Sequence, residues 1–227
     1  MARRGKIDRE LGFGKKEVRP KAFRSERKFF LIVCEGEKTE PNYFKGLSQF
    51  IPRGTVELVL DIHGTGRNTL SLLEKIKAIR KNKEAEYDRT YDETWAVFDK
   101  DDFPDEHFNR AILIGRNERA PIFCAWSNEA FELWFLLHFN NYPEPMGRKQ
   151  YAKLLEREIS QLMSGPFKYE KNNAAMYTLL KTFGDEPKAI ERAKTLHQQY
   201  EDENFAAHNP CTLVYQLVEK LLELSSF

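Results

Sequence analysis

Short apolar runs alternate with helical patterns, and this alternation restricts the fold more than any other feature of the sequence. The first run, Phe29 to Cys34, is continuously apolar and of strand length, which is typical of a strand buried on both faces. Further strands are predicted at Val56 to Ile62, Thr94 to Phe98 and Pro121 to Trp126, each followed by a helical pattern. This spacing predicts an α/β fold in which helices cover both faces of a parallel sheet.

The pattern changes at Gly147, after which only helical spacing is found. The last helix is predicted to start at Asn209 and Pro210, as N-cap and first helical residue, ahead of the apolar stripe from Leu213 to Leu222. We therefore predict an α/β domain over residues 29–146 and a helical extension over residues 147–227 that packs on it.

The N-terminal segment differs from the rest of the chain in charge. Residues 1–28 carry eleven Lys or Arg against four acidic residues, a net charge of +7, which leaves −6 for the remainder. Because this segment has few large apolar side chains, we expect an extended or mobile basic arm that contacts nucleic acid, through residues such as Arg3, Arg4, Lys15 and Lys16. The alternative is a solubilising tail.

Composition and segment lengths exclude several classes of protein. No stretch approaches the ~18 apolar residues of a membrane span, and the basic start is not followed by a secretory signal, so a cytoplasmic protein is expected. The three cysteines, Cys34, Cys124 and Cys211, are far apart and lie in apolar runs, which predicts core residues rather than disulfides or a zinc site. No nucleophile elbow or Walker lysine motif is present, which disfavours covalent hydrolase chemistry and ATP hydrolysis.

Acidic residues follow two of the predicted strands at the point where each strand ends. Glu35 follows the first strand, and Asp99 and Asp101 follow the third. In an open parallel sheet the ligand site lies at the carboxyl ends of the strands. Carboxylates gathered there need protons or a cation, and oxygen ligands suit Mg²⁺. Glu35 beside such a pair would have a raised pKa, which suits proton transfer.

Two alternatives stay open at this point. The run from Asp99 to Asp102 also fits an ordinary solvated turn before the helix that Pro104 opens. Glu132 lies in a run that is apolar nearly all round, where an unpartnered carboxylate is costly, so it either faces the metal site or turns to solvent or a backbone group. His138 and His208, beside apolar stretches, are interpreted as structural.

Four separated motifs stand out along the chain: Ile32 to Phe44, Val97 to Asp101, Ser127-Asn128 with Phe131 to Trp134 and Leu137 to Phe139, and Asn209 to Thr212. In this order they resemble the RloB-like family, which is similar to a branch of the Toprim superfamily. The resemblance covers about residues 29–222, although Glu129 stands where we expect proline after Ser-Asn.

The resemblance implies a Toprim-like, Rossmann-like domain in which Glu35 is the general acid/base, and Asp99 and Asp101 bind Mg²⁺, with Mn²⁺ able to substitute. We expect Glu35 to assist the metal as well. Additional acidic or supporting residues would be Glu37, Glu40, Ser127 and Glu132. The basic arm would track the phosphate backbone together with Arg148, Lys149, Lys168 and Lys171.

The function that the resemblance implies is a metal-dependent nuclease, the effector of a bacterial anti-phage or abortive-infection system with an AAA or ABC-type ATPase partner. One alternative is a non-catalytic protein that docks on such an ATPase. A haloacid dehalogenase-type phosphatase is disfavoured, because its Asp-x-Asp pair follows the first strand rather than the third. The choice between DNA and RNA, and the oligomeric state, stay open.

Overall fold

The computed structural model describes residues 28–59, 69–101 and 103–225. Its centre is a five-stranded sheet in the order β2-β1-β3-β4-β5, in which the first four strands are parallel and β5 runs antiparallel to β4. The strands are β1 (Phe30–Cys34), β2 (Val56–Val59), β3 (Glu93–Asp99), β4 (Ile122–Asn128) and β5 (Cys211–Thr212). The predicted α/β fold with a mostly parallel sheet is confirmed.

Eight helices accompany the sheet in the described part of the chain. None of them is both long and apolar enough to cross a bilayer. They are α1 (Thr39–Ser48), α2 (Thr69–Tyr87), α3 (Asp105–Asn117), α4 (Glu132–Leu137), α5 (Arg148–Met163), α6 (Met176–Phe183), α7 (Glu186–His197) and α8 (Val214–Ser225), with a 3-10 turn at Phe205–Ala207.

Side chains of each central strand alternate between two buried cores, one on each face of the sheet. Phe30, Ile32 and Cys34 of β1 face a core built with α1, α4 and the helices of residues 148–225. Leu31 and Val33 face a second core built with α2 and α3. Burial on both faces explains why β1 is continuously apolar rather than alternating. The helical extension therefore shares the core on the α1 side.

The prediction that Asn209 and Pro210 start the last helix is wrong. The chain first forms β5, and α8 begins only at Val214. The backbone N–H of Leu213 donates to the carbonyl of Trp126 at 2.8 Å, and the Ser127 and Thr212 hydroxyls lie 2.8 Å apart. These bonds hold the backbone next to β4 in an extended conformation where a helix was expected. Residues 147–227 are therefore not purely helical.

Several smaller predictions can be compared directly. All three cysteines are free and buried, as predicted. His138 lies 2.9 Å from the carbonyl of Trp134, and His208 lies 2.8 Å from an Asp202 carboxylate oxygen, so both histidines have partners of a structural kind. The basic arm, with Arg3, Arg4, Lys15 and Lys16, and the end of the predicted strand at residues 60–62 lie outside the described residues.

Candidate functional site

A cavity of about 460 Å³ opens at the carboxyl ends of β1 and β3. It gathers six acidic side chains with three basic ones. The lining residues are Glu35, Gly36, Glu37, Lys38, Thr39, Glu40, Asp99, Asp101, Phe103, Glu132, Arg148 and Lys171. The predicted acidic residues of strands one and three thus lie at one cavity, together with Glu37, Glu40 and Glu132.

Strand pairing brings the acidic residues together. Cys34 at the end of β1 is the register partner of Val97, and the Glu35 N–H donates to the Val97 carbonyl at 2.9 Å. Asp99 is the last residue of β3, so it ends beside Glu35. Because β1 and β3 are neighbours, two segments that are far apart in the sequence deliver carboxylates to the same place.

The side chain of Lys100, between Asp99 and Asp101, points away from the cavity. Lys100 Nζ donates to the Phe103 carbonyl at 2.7 Å and pairs with Asp105 at 3.0 Å. Asp101, with a φ of 36°, turns the chain in the left-handed region directly after it. Asp99 and Asp101 therefore line the cavity while the lysine between them packs toward the start of α3.

The carboxylate of Glu40 occupies the space that a side chain at position 36 would need. Glu40 lies in the first turn of α1 and is only 6% exposed. Its carboxylate lies so close to Gly36 that a Cβ atom on that residue would collide with it. Glycine at position 36 thus lets Glu40 approach the strand end.

Burial and mutual repulsion raise the pKa values of three carboxyls at the cavity. Burial, with the nearby charges of Glu40 and Asp101, raises the pKa of Glu35 to about 8. Burial and the charge of Glu132 raise the pKa of Glu40 to about 7. Burial, then Glu40 and Glu132, also raises the pKa of Asp99 well above its usual range. The cavity therefore favours protons or a bound cation.

The helical extension contributes the opposite wall. Arg148, the first residue of α5, bridges the two aspartates: its guanidinium nitrogens lie 3.1 Å from Asp99 Oδ2 and 3.0 Å from Asp101 Oδ2. The Tyr169 hydroxyl donates to Glu132 Oε1 at 2.9 Å. Lys171 lines the same wall, and its carbonyl accepts from the Thr39 hydroxyl at 3.4 Å. The cavity is thus acidic on its strand side, whereas the extension lines it with Arg148 and Lys171 and bonds Glu132 through Tyr169.

The other predicted residues have different surroundings. Glu132 is 2% exposed and faces the cavity, which decides between the two alternatives left open for it. Ser127 is fully buried, bonds Thr212 and is not among the lining residues. Lys149 and Lys168 are exposed and do not line the cavity.

Sequence reasoning missed the roles of Tyr169 and Gly36, and the ion pairs that Arg148 makes. Tyr169 lies in a loop between α5 and α6, where no periodicity or motif marks it. Arg148 was predicted only as a phosphate contact, because its position beside the aspartates depends on how α5 packs. A glycine two residues after the end of a buried strand was the one available signal of close approach.

The residues at the cavity fit a hard divalent cation in their chemistry. Carboxylate oxygens are the ligands that Mg²⁺ prefers, and Asp99 Oδ1 has no hydrogen-bond partner within the described part of the chain. Across the described ranges, no three His, Cys, Asp or Glu side chains are already grouped as metal ligands. Arg148 instead holds one oxygen of each aspartate.

Fold and cavity together define an α/β protein with an acidic cavity at the carboxyl ends of a mostly parallel sheet. The model of the RloB-like protein family matches residues 30–221, and the chain belongs to that family. The matched range includes every residue that lines the cavity. Comparisons with curated proteins and with solved structures give no match.

Proposed function

We propose that this protein is a Mg²⁺-dependent phosphodiester hydrolase of the Toprim type that cuts nucleic acid. The observation that carries the proposal is the convergence of Glu35, Asp99 and Asp101 from two neighbouring strand ends onto one cavity. Three carboxyls there have raised pKa values, which means that ionising all of them without a nearby cation is unfavourable. Such a site gains free energy from binding a divalent cation.

Asp99 and Asp101 are the residues that would hold the cation. When bound, Mg²⁺ would polarise the phosphodiester and offset the charge that develops during in-line displacement, and Mn²⁺ is expected to substitute. Glu35 would transfer the proton at its carboxylate, because a pKa of about 8 lies close to neutral pH. Glu37, Glu40 and Glu132 would adjust the charge around these groups.

The extension wall suits a polyanionic substrate. Lys171 lines the cavity, while Lys149 and Lys168 are exposed and lie within three residues in the sequence of the lining residues Arg148 and Lys171. Lysines that neutralise phosphates release counterions, which gives affinity without reading the base sequence. We propose that the basic arm of residues 1–28 extends this track. Specificity for a particular DNA or RNA would then come from shape or from a partner.

The biological setting is part of the proposal. Membership of the RloB-like protein family supports a cytoplasmic effector of an anti-phage or abortive-infection system, held or released by an ATPase partner. The shared core between sheet and extension gives a single body on which such a partner could act. A change in the extension would then be felt at the cavity through Arg148 and Tyr169.

A cleavage assay with matched variants tests the proposal. The wild type is incubated with single- and double-stranded DNA and RNA, including structured RNA, with Mg²⁺, Mn²⁺ or chelator. We expect metal-dependent cleavage that falls by roughly 10²–10⁴-fold in Glu35→Gln. Glu106→Gln, an exposed change on α3 outside the cavity, is the control and should cleave normally.

If cleavage persists undiminished in both Glu35→Gln and Asp99→Asn, the cavity is not the active site. Function that depends instead on the surface of the extension would favour the non-catalytic docking protein.

A further inference from the structure

The ion pairs of Arg148 place a protein cation on both aspartates of the cavity. The guanidinium contacts Oδ2 of Asp99 and Oδ2 of Asp101, and its side chain is 30% exposed. A divalent ion that used these oxygens would have to replace it. Arg148 and a divalent ion would therefore compete for the same carboxylate oxygens.

One nitrogen of the Arg148 guanidinium lacks a partner among the described residues. The Nε of Arg148 is buried and without a hydrogen-bond partner in the described part of the chain. The ion-pair partner Asp101 is 42% exposed, and ion pairs of this exposure are weak. The other partner, Asp99, is only 15% exposed, so the guanidinium leaves that carboxylate only when another cation takes its place.

The position of Arg148 in its helix points the same way. It is the first residue of α5, a helix of sixteen residues. The positive end of the helix dipole lies there, which disfavours a cation and favours an anion. The carboxylates rather than the helix thus hold the guanidinium in place.

We propose that Arg148 exchanges partners on metal binding: it neutralises Asp99 and Asp101 in the metal-free protein, and the incoming cation displaces it toward the substrate phosphate. This inference rests on the proposed function, since it takes the two aspartates as the metal ligands. It makes the helical extension part of the metal site, because α5 sets how strongly the cation must compete. A partner that shifted α5 would change metal affinity without touching a ligand.

Calorimetric titration of the full chain with Mg²⁺ and Mn²⁺ tests the exchange. Arg148→Gln should bind the metal about three- to tenfold more tightly than the wild type, because a competing ion pair is removed. Arg148→Lys, which keeps the charge but not the two-pronged contact, should lie between them. Arg157→Gln, an exposed change on the same helix that pairs with Glu158, is the control and should bind as the wild type does.

A second titration follows the released guanidinium, with inorganic phosphate as the probe. The wild type should bind phosphate more tightly with saturating Mg²⁺ than without it, and Arg148→Gln should lose that gain. Circular dichroism confirms that each variant is folded, and Arg148→Lys serves if the glutamine variant is not.

The failures are distinguishable. Metal binding by the wild type with equal or weaker affinity in both folded Arg148 variants overturns the exchange and leaves the proposed function standing. Absence of a phosphate gain in the wild type also overturns it. No metal binding by the wild type or by either variant overturns both proposals.

Discussion

The two walls of the cavity differ in charge, in origin and in how the chain builds them. The acidic wall comes from the ends of β1 and β3 and the starts of α1 and α4, elements that belong to the sheet and its core. The other wall comes from the first residue of α5 and the loop before α6; Arg148 and Lys171 line the cavity there, and Tyr169 bonds Glu132. The sheet and the helices that follow β1 and β4 thus carry the repelling charges, and the extension carries the groups that balance them.

This difference teaches how the fold itself offsets the charge of a cluster of buried carboxylates. Glu40 and Glu132 are nearly fully buried, and carboxylates so placed need protons, donors or cations. Glu35 and Glu40 keep their protons to higher pH, because their pKa values are raised. The Tyr169 hydroxyl donates to Glu132, and the Arg148 guanidinium pairs with Asp99. Each of these can be removed separately.

The largest expected effect on stability concerns the protons. In the unfolded chain Glu35 ionises near its usual pKa, whereas burial holds its folded pKa at about 8. Between these values the folded state binds more protons, so the free energy of unfolding should fall as pH rises from about 5 to 8, and then level off. In the presence of chelator, the decrease in the free energy of unfolding between about pH 5 and 8 should be roughly 2 kcal/mol smaller in Glu35→Gln than in the wild type. Urea denaturation across this pH range measures the difference.

In Glu35→Gln the free energy of unfolding should still fall with rising pH, but by less, because burial also raises the pKa of Glu40, to about 7. Glu106→Gln should keep the full pH dependence of the wild type. An unfolding free energy that rises between pH 5 and 8 in the wild type, or a Glu35→Gln curve that matches it, would contradict the assignment of raised pKa values to the acidic wall.

The next effect concerns the hydrogen bond that joins the walls at Glu132. Tyr169→Phe removes the donor to a buried carboxylate, so the free energy of unfolding should fall by about 1–3 kcal/mol. Combining it with Glu132→Gln should cost less than the sum of the two single changes, as expected for residues in direct contact. Chemical denaturation of the wild type, the two single variants and the double variant measures this coupling.

Ser127→Ala is a matched control for Tyr169→Phe. It removes a buried hydrogen bond to Thr212 at the β4–β5 edge, away from the cavity lining. It should cost about 1 kcal/mol of stability, without coupling to Glu132→Gln. A coupling of zero between Tyr169 and Glu132 would show that the extension does not stabilise the acidic wall.

The smallest effect concerns the substrate side of the extension wall. Lys171→Gln should weaken nucleic-acid binding a few-fold for all sequences alike, and should reduce the slope of log affinity against log salt concentration by about 1. Fluorescence anisotropy across a salt series measures both quantities. Lys153→Gln, an exposed change on α5 outside the cavity lining, should alter neither. A sequence-dependent loss in Lys171→Gln would argue against a pure phosphate contact.

How far the sequence predicts this molecule also differs between the two walls. Continuous apolar runs predict β1, β3 and β4, and the rule that ligands meet strand ends is enough to bring Glu35, Asp99 and Asp101 to one place. Those predictions need only local patterns and the geometry of parallel strands. The acidic wall is therefore accessible from sequence.

The extension wall is not accessible in the same way. Arg148 and Tyr169 meet the carboxylates only because α5 and the loop after it pack on the α1 side of the sheet, and no local pattern records that packing. Likewise β5 is two residues long, too short for a periodicity, so Asn209 and Pro210 resembled a helix start. Tertiary contacts with β4 decided that segment instead.

The central claim is that Asp99 and Asp101 form a binding site for a divalent cation at the acidic wall. Calorimetric titration of Mg²⁺ and Mn²⁺ into the wild type, Asp99→Asn/Asp101→Asn and the exposed control Glu106→Gln tests it most directly. The account predicts binding by the wild type and by Glu106→Gln, and a loss of at least about 100-fold in affinity in the double variant, since two charged ligands are removed. Equal binding by all three proteins, or none by the wild type, would contradict it.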